Sequence, residues 1–451
     1  MLVSAALSQT PGTNTKTMTP PAGGKVKQAL AQVSAQQIAR TGKKLVGFET
    51  RLTVSTNFAP ESKRGVLAAR DWIRGELERY SQACGGCLDV KVQTFTEQPG
   101  ARIPQPTNIS NVYAILRGTD PDAAKRMLIM TAHYDSIVME RMTDPEAPAP
   151  GANDDASGTA AVLEAARVLS RHKFPATIVF ALFAGEEQGL NGSRAFAAMA
   201  RQENWNIEAV LNNDIIGGDR SPGQNAAVVR VFSEGIPITA VAERSAVQEL
   251  RLLGLESDSP SRQLARYVAA TARAYAAPGV AQAKMVFRQD RYLRGGDHTS
   301  FNEQGFAAVR FTEFRENYAH QHQVVRTENG IEYGDLPKFV DFDYVARVTR
   351  LNVAALATLA SAPAPPSQVR IDTKKLENDT TLSWEPSAGA SSYAVVWRDT
   401  TAADWEHSRN VGVRTSVTIP VSKDNVVFGV RAIGRGGEPS LVSVPAREQR
   451  Q

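Results

Sequence analysis

Four short runs rich in Ile, Val, Leu and Phe, residues 110–116, 127–133, 177–183 and 209–215, have the length of buried strands, and helical stretches such as residues 158–171 separate several of them. That alternation constrains the chain more than any other feature. Strands joined through helices lie side by side in parallel, and a parallel sheet needs cover on both faces. The expected fold class is therefore α/β, a mixed, largely parallel β-sheet sandwiched by helices. Residues 25–80 extend the helical cover, with Val26, Leu30, Val33 and Ile38 at helical spacing and a second amphipathic stretch from Val66 to Leu77. Between residues 218 and 295, turn clusters such as Ser221-Pro222-Gly223 surround helical segments such as 263–275. Periodicity assigns these no order.

A chain of 451 residues exceeds one ordinary domain of roughly 100–250 residues. Its composition breaks at residues 361–367, where Ser-Ala-Pro-Ala-Pro-Pro-Ser has the extended, semi-rigid character of a linker. Beyond it, residues 380–384, 393–397, 416–419 and 426–432 are short alternating runs between turn residues, the pattern of a small β-sandwich. Trp384 before Glu-Pro, Tyr393-x-Val-x-Trp397 and Phe428-x-Val-x-Ala432 resemble the fibronectin type III pattern, with Phe428 where that family usually has tyrosine. The expected organisation is a leader at 1–24, disordered or the remnant of a signal peptide, a main domain at 25–360, the linker at 361–367 and the sandwich at 368–447.

The 51 basic residues against 47 acidic leave a net charge of +4, scattered rather than gathered in a stripe, which points away from a nucleic-acid partner. No run approaches the roughly 18 apolar residues of a membrane span; the apolar segment at 177–184 stops at Gly185-Glu186-Glu187. Cys84-Gly85-Gly86-Cys87 is compatible with a redox pair, half a zinc site or a tight disulfide. Without a second CxxC or thioredoxin-like surroundings, a structural disulfide in an oxidising compartment is expected, and with it a secreted or periplasmic location.

Carboxylates gather where the strand candidates end. His133-Tyr134-Asp135 closes one of them, at the sheet edge where open α/β folds place their ligands. Taken alone it fits a surface turn, but Asp135, two residues on, points to the same side and could orient the imidazole of His133 for a metal. Gly151-Ala-Asn-Asp154-Asp155-Ala-Ser157-Gly158 opens a helix. One acid there suffices for capping; the second asks for a cation. Glu186-Glu187 follows the next strand, where paired glutamates repel unless one meets positive charge, and Asn212-Asn213-Asp214 closes another.

In this order the HxD, NDDxSG, GEExGL and ND blocks resemble the metallopeptidase family of the bacterial double-zinc leucyl aminopeptidases, plasma glutamate carboxypeptidase and glutaminyl cyclase, over residues 25–360. The resemblance implies two zinc ions: His133 and Asp214 on one, Glu187 and a histidine from the pair His320 and His322 on the other, and Asp154 bridging. It implies Glu186 as general base, Asp135 as the partner of His133, and a cis peptide after Asp154. Gly295-Gly296-Asp297-His298 resembles the family's acid-rich segment, with His298 read as a hydrogen-bonded or surface residue. Tyr318 resembles the active-site tyrosine, displaced by Ala319 from its usual place beside the histidine. Of the two histidines, His320 is favoured as ligand because it lies nearer Tyr318, although in an extended segment residues two apart face the same way.

Two zinc ions against three carboxylates and a hydroxide leave a near-neutral site, zinc accepts such ligands, and coordination lowers the pKa of water toward neutrality. The resemblance further implies a peptide or protein substrate and, as the leading expectation, an aminopeptidase reaction. Carboxypeptidase or dipeptidase action is the alternative, kept open by Arg291, Arg294 and Arg315, which suit a free carboxylate. A non-catalytic binding protein would have no need of Glu186. Through the C-terminal sandwich, protein or carbohydrate contacts are expected.

Overall fold

The computed structural model describes residues 23–446 apart from 242, 277, 278 and 375, so residues 1–22 of the expected leader and residue 447 lie outside the described residues. The chain divides into two compact units, one ending at Ala362 and the other beginning at Pro363.

The larger unit is built on one eight-stranded sheet. Its strands are β1 (Leu88–Glu97), β2 (Thr107–Leu116), β3 (Arg126–His133), β4 (Thr177–Phe183), β5 (Asn206–Asn213), β6 (Val228–Ser233), β7 (Gln282–Val286) and β8 (Ala308–Glu313), in the order β1-β2-β4-β3-β5-β8-β6-β7. The central four, β4-β3-β5-β8, are mutually parallel. The hairpin β1-β2 adds an antiparallel edge on one side, and β6 runs antiparallel to β8 on the other. This is the mixed, largely parallel sheet that the alternation of strands and helices requires.

All seven residues of β4 are buried, as a strand covered on both faces demands. On one face Ile129, Val179, Phe183 and Val210 pack with Phe196 and Phe301 from the helices Asn191–Gln202 and Asp297–Glu303. The other face is covered by the long helices Ala156–Leu169 and Phe342–Ser361, both buried along most of their length. Each fully buried Val, Leu or Phe here contributes on the order of 1.5–3 kcal/mol relative to exposure. Cys84 and Cys87 are joined by a disulfide at the end of the helix Gly65–Ala83.

The larger unit also holds a short hairpin of β9 (Arg326–Glu328) and β10 (Ile331–Tyr333). In the smaller unit, β11 (Ser367–Ile371), β12 (Thr380–Glu385) and β15 (Ser416–Ile419) form one antiparallel sheet, and β13 (Ser392–Asp399), β14 (His407–Gly412) and β16 (Val426–Ile433) a second. Leu382, Trp384, Tyr393, Val395, Trp397 and Phe428 make their shared core, in which the rings of Trp384 and Tyr393 lie 5.6 Å apart.

Candidate metal centre

Because β3, β4 and β5 are neighbours running in the same direction, their carboxyl ends share one edge of the sheet. His133 is the last residue of β3, Glu186 and Glu187 follow β4 after Ala184-Gly185, and Asp214 follows β5. Gly185, at φ 81°, occupies the left-handed region that lets the chain turn away from the strand. Asp154 arrives from the loop that opens the helix Ala156–Leu169, and the peptide between Asp154 and Asp155 is cis.

The two adjacent acids of that loop have separate tasks. The Asp155 carboxylate caps the helix, accepting from the backbone N–H of Gly158 at 2.9 Å and also from those of His133 and Ile215 at 3.3 Å. The approach is so close that a Cβ on Gly158 would stand 2.5 Å from that carboxylate. Asp154 faces the other way. One of its oxygens lies 3.1 Å from His133 Nε2, and the other lies 2.8 Å from His322 Nε2 and accepts from Gln321 Nε2 at 3.0 Å. His322 Nε2 is also 3.2 Å from Glu187 Oε1, and His133 Nε2 is 3.9 Å from Asp214 Oδ1.

Two trios of donor atoms result, each within 4.8 Å: His133, Asp154 and Asp214, and Asp154, Glu187 and His322. Asp154 belongs to both. A third trio of His133, Glu186 and Glu187 meets the same limit. Zinc takes nitrogen and carboxylate ligands of these kinds, and the protein leaves two of them unsatisfied: His133 Nε2 and Glu187 Oε1 are buried with no hydrogen bond. The residues present therefore fit the metal.

Asp135 sets the geometry behind the ligands. Its backbone and side-chain oxygens lie 3.2 and 3.3 Å from His133 Nδ1, and its carboxylate accepts from Thr53 Oγ1 at 2.9 Å. The same carboxylate faces the backbone N–H groups of Glu186 and Glu187 at 3.4 and 3.3 Å. One side chain thus orients an imidazole and the turn that carries both glutamates.

Charge crowding shows in the titration. Burial disfavours the His133 cation, yet the carboxylates of Glu186, Asp135 and Asp154 outweigh it and hold its pKa well above the ordinary imidazole value. His322 is raised in the same way by Glu187 and Asp154. Against the cost of burial, these two histidines hold Asp154 well below the usual carboxylate range. Burial raises the carboxyls of Asp155, Glu186 and Glu187.

Not every residue singled out in the sequence joins this centre. Of the pair, His322 joins it rather than the favoured His320, which stacks on Phe339 with ring centroids 3.6 Å apart and bonds through Nδ1 to Asp219. The segment is not extended: the backbone N–H groups of His320 and Gln321 both turn back to Asn317 O, and His322 has φ 60°. Residues two apart therefore do not face alike. Tyr318 is 65% exposed and absent from the lining of the site cavity. His298 is buried with Nε2 2.8 Å from Gln289 O, the hydrogen-bonded role expected of it. Arg315 donates to Pro222 O and lies outside the cavity lining, whereas Arg291 and Arg294 belong to it.

Three contributors were not read from the sequence. Asp335 accepts from the backbone N–H groups of Asn153 and Asp154 at 2.8 and 2.7 Å, tying down the loop that presents the shared ligand. Arg310 lies fully buried in β8, between Val309 and Phe311, with Nη2 2.7 Å from Asp214 Oδ1. A charge flanked by apolar residues in a strand is a readable signal for a buried partner. Arg102, from the loop between β1 and β2, donates to Glu187 O at 2.7 Å.

A preformed cluster of histidine and carboxylate ligands at the carboxyl edge of an α/β sheet, beside a cavity of about 410 Å³ lined by Asp154, Glu186, Glu187, Asp214 and His322, defines a metal-dependent hydrolase. Residues 111–324 match the sequence model of Peptidase family M28. A "probable zinc metalloprotease" of Pyrenophora teres f. teres is 45% identical over 434 residues, covering 94% of this chain and 88% of that one. Another of that description, from Pyricularia oryzae, is 45% identical over 93% of this chain and 84% of its own. The chain belongs to this family and is a zinc metallopeptidase. Among solved structures, the LapA aminopeptidase of Legionella pneumophila shares the fold with TM-score 0.53 and 19% identity, over 79% of this chain and 78% of its own.

Proposed function

We propose that the protein is a secreted or periplasmic aminopeptidase that holds two zinc ions and removes N-terminal residues from peptides. The carrying observation is the pair of donor trios that share Asp154 while Glu186 stands half-buried on the cavity wall. In this reading His133 and Asp214 hold one ion, Glu187 and His322 the other, and Asp154 both. Zinc supplies Lewis acidity and lowers the pKa of water toward neutrality.

The protein's own groups do the rest. Asp135 fixes the His133 ring and the turn bearing Glu186, so the base is held rather than free to wander. Glu186, its pKa raised by desolvation, takes a proton from the attacking water and returns it to the leaving amine. The Cys84–Cys87 disulfide supports an oxidising compartment. For the smaller unit, the paired sheets and the Trp384–Tyr393 packing support a fibronectin type III-like contact module.

The test is Glu186→Gln, assayed on amino-acid amides with free and blocked amines. It is expected to keep two equivalents of zinc and lose turnover by roughly 100-fold or more. Retained turnover would remove Glu186 from the role of base, and equal cleavage of blocked amides would reject the aminopeptidase reading.

A further inference from the structure

Resting on the exopeptidase reading, we propose that Arg102 is a substrate-recognising residue and that the preferred peptides carry a carboxylate close to the scissile bond. The carboxylate is either the chain terminus of a dipeptide or an acidic side chain.

Arg102 reaches the cavity from the loop between β1 and β2. Its Nη1 donates to the backbone oxygen of Glu187 at 2.7 Å, so the guanidinium is fixed relative to the metal cluster although the residue is exposed. Among the described residues no carboxylate pairs with it. A positioned guanidinium with unused donors at the mouth of an enzyme cavity is suited to bidentate capture of a carboxylate.

Two further arginines, Arg291 and Arg294, line the same cavity, and Arg230 and Arg310 stand behind them in the same ion-pair network. Arg230, Arg291 and Arg294 converge on Glu316 at 2.8, 3.1 and 3.1 Å. Arg291 and Arg310 pair with Asp290 at 3.0 and 3.3 Å. Four guanidiniums are thus shared between two carboxylates, and the further acid that Arg310 meets, Asp214, belongs to the metal cluster. Once Asp154, Glu187 and Asp214 are committed to cations, the cavity lining keeps three arginines, Arg102, Arg291 and Arg294, against the single carboxylate of Glu186. Among the described arginines of the cavity lining, Arg294 and Arg102 are exposed, and Arg291 is almost wholly buried in its pairs. A neutral peptide offers these guanidiniums no charged partner, whereas a carboxylate bound in the cavity that Arg102 and Arg294 both line does.

The test compares wild type, Arg102→Met and Arg102→Lys on four substrates: Leu-Ala, Leu-Ala-amide, Leu-Glu-amide and Glu-Ala-amide. In Arg102→Met the ratio of kcat/KM on the carboxylate substrates to that on Leu-Ala-amide is expected to fall roughly 10- to 100-fold, chiefly through KM, as the loss of charge-assisted hydrogen bonds implies. Arg102→Lys, which keeps the charge without the fork, is expected to recover part of it. A fall confined to Leu-Ala identifies the terminal carboxylate, and a fall on either acidic amide the side chain. An unchanged ratio on all of them overturns the proposal, since a role limited to propping Glu187 would lower all four rates together. Should the wild type cleave none of the four, the aminopeptidase reading fails. The Arg102 assignment is then decided by calorimetric titration of the zinc-loaded protein with succinate: at least tenfold weaker binding by Arg102→Met upholds it, and equal affinity rejects it.

Discussion

Glu313 ends β8 fully buried, with one carboxylate oxygen accepting from the backbone N–H of Asp219 at 2.9 Å and from Asn153 Nδ2 at 3.2 Å. Its other oxygen has no hydrogen-bond partner, and burial pushes the pKa up to about 8. Glutamine keeps the shape and removes the titration. With the folded pKa above the unfolded value of about 4.3, the group's stabilising contribution is fully present below that unfolded value and is lost as pH rises toward the folded one. Each pH unit inside the window is worth about 1.4 kcal/mol, so the whole window amounts to roughly 5 kcal/mol as an upper bound. Water entry and local relaxation reduce this, and about 2–3 kcal/mol is the expected difference. Urea unfolding of the zinc-loaded wild type and Glu313→Gln, from about pH 5 to about pH 9, measures it, and the pH dependence of zinc binding cancels between the two. Wild-type stability should fall relative to the variant up to about pH 8 and run parallel above it. Curves parallel over the whole range would refute the reasoning.

Two further substitutions test the centre. His322→Ala is expected to lose about one equivalent of zinc by elemental analysis while His320→Ala retains both, because only His322 reaches Asp154 and Glu187; the opposite pattern would reject the assignment. Asp335→Ala frees the backbone groups of Asn153 and Asp154 and should weaken zinc binding by roughly 10- to 100-fold in a competitive chelator titration, with unchanged affinity counting against a positioning role.

The positions of His133, Asp154, Glu187 and Asp214 stand out in the sequence for one physical reason, while their grouping as ligands is what the family resemblance implies. Each lies at or just past the end of an apolar run, or at a helix entry, and the runs become adjacent parallel strands, so end of strand translates directly into edge of sheet. β1 was not legible, because a strand that mixes Lys91, Gln93 and Thr94 with Val90 and Val92, and leaves Lys91, Val92 and Thr94 exposed, lacks the apolar run that marks β4. The order of β6, β7 and β8 was hidden as well, since their pairing is set by contacts between segments far apart in the chain. The choice of histidine failed on local geometry: facing rules for an extended chain do not apply to a turn that ends in a left-handed His322. Arg102 escaped notice because its partner, a backbone carbonyl 85 residues away, has no side-chain signature.

The adjacency of β3, β4 and β5 separates two kinds of spacing. Along the chain, the intervals between His133, Asp154, Glu187 and Asp214 are set by loops and helices of arbitrary length. Across the sheet, strand separations of about 4.8 Å set them. Residues 170–176 and 203–205 lead into β4 and β5 at the edge opposite the ligands. Chain added at their more exposed parts, residues 171–173 and 203–204, lengthens the path without moving the strand ends, which makes these stretches the natural places to graft a label or a binding peptide, whereas Phe174 and Ala176 are buried. One residue added inside β4 does the reverse: it turns Phe183 from one layer of helices toward the other and shifts Glu187 along the sheet. The same sheet that tolerates insertion at one edge forbids it in the middle.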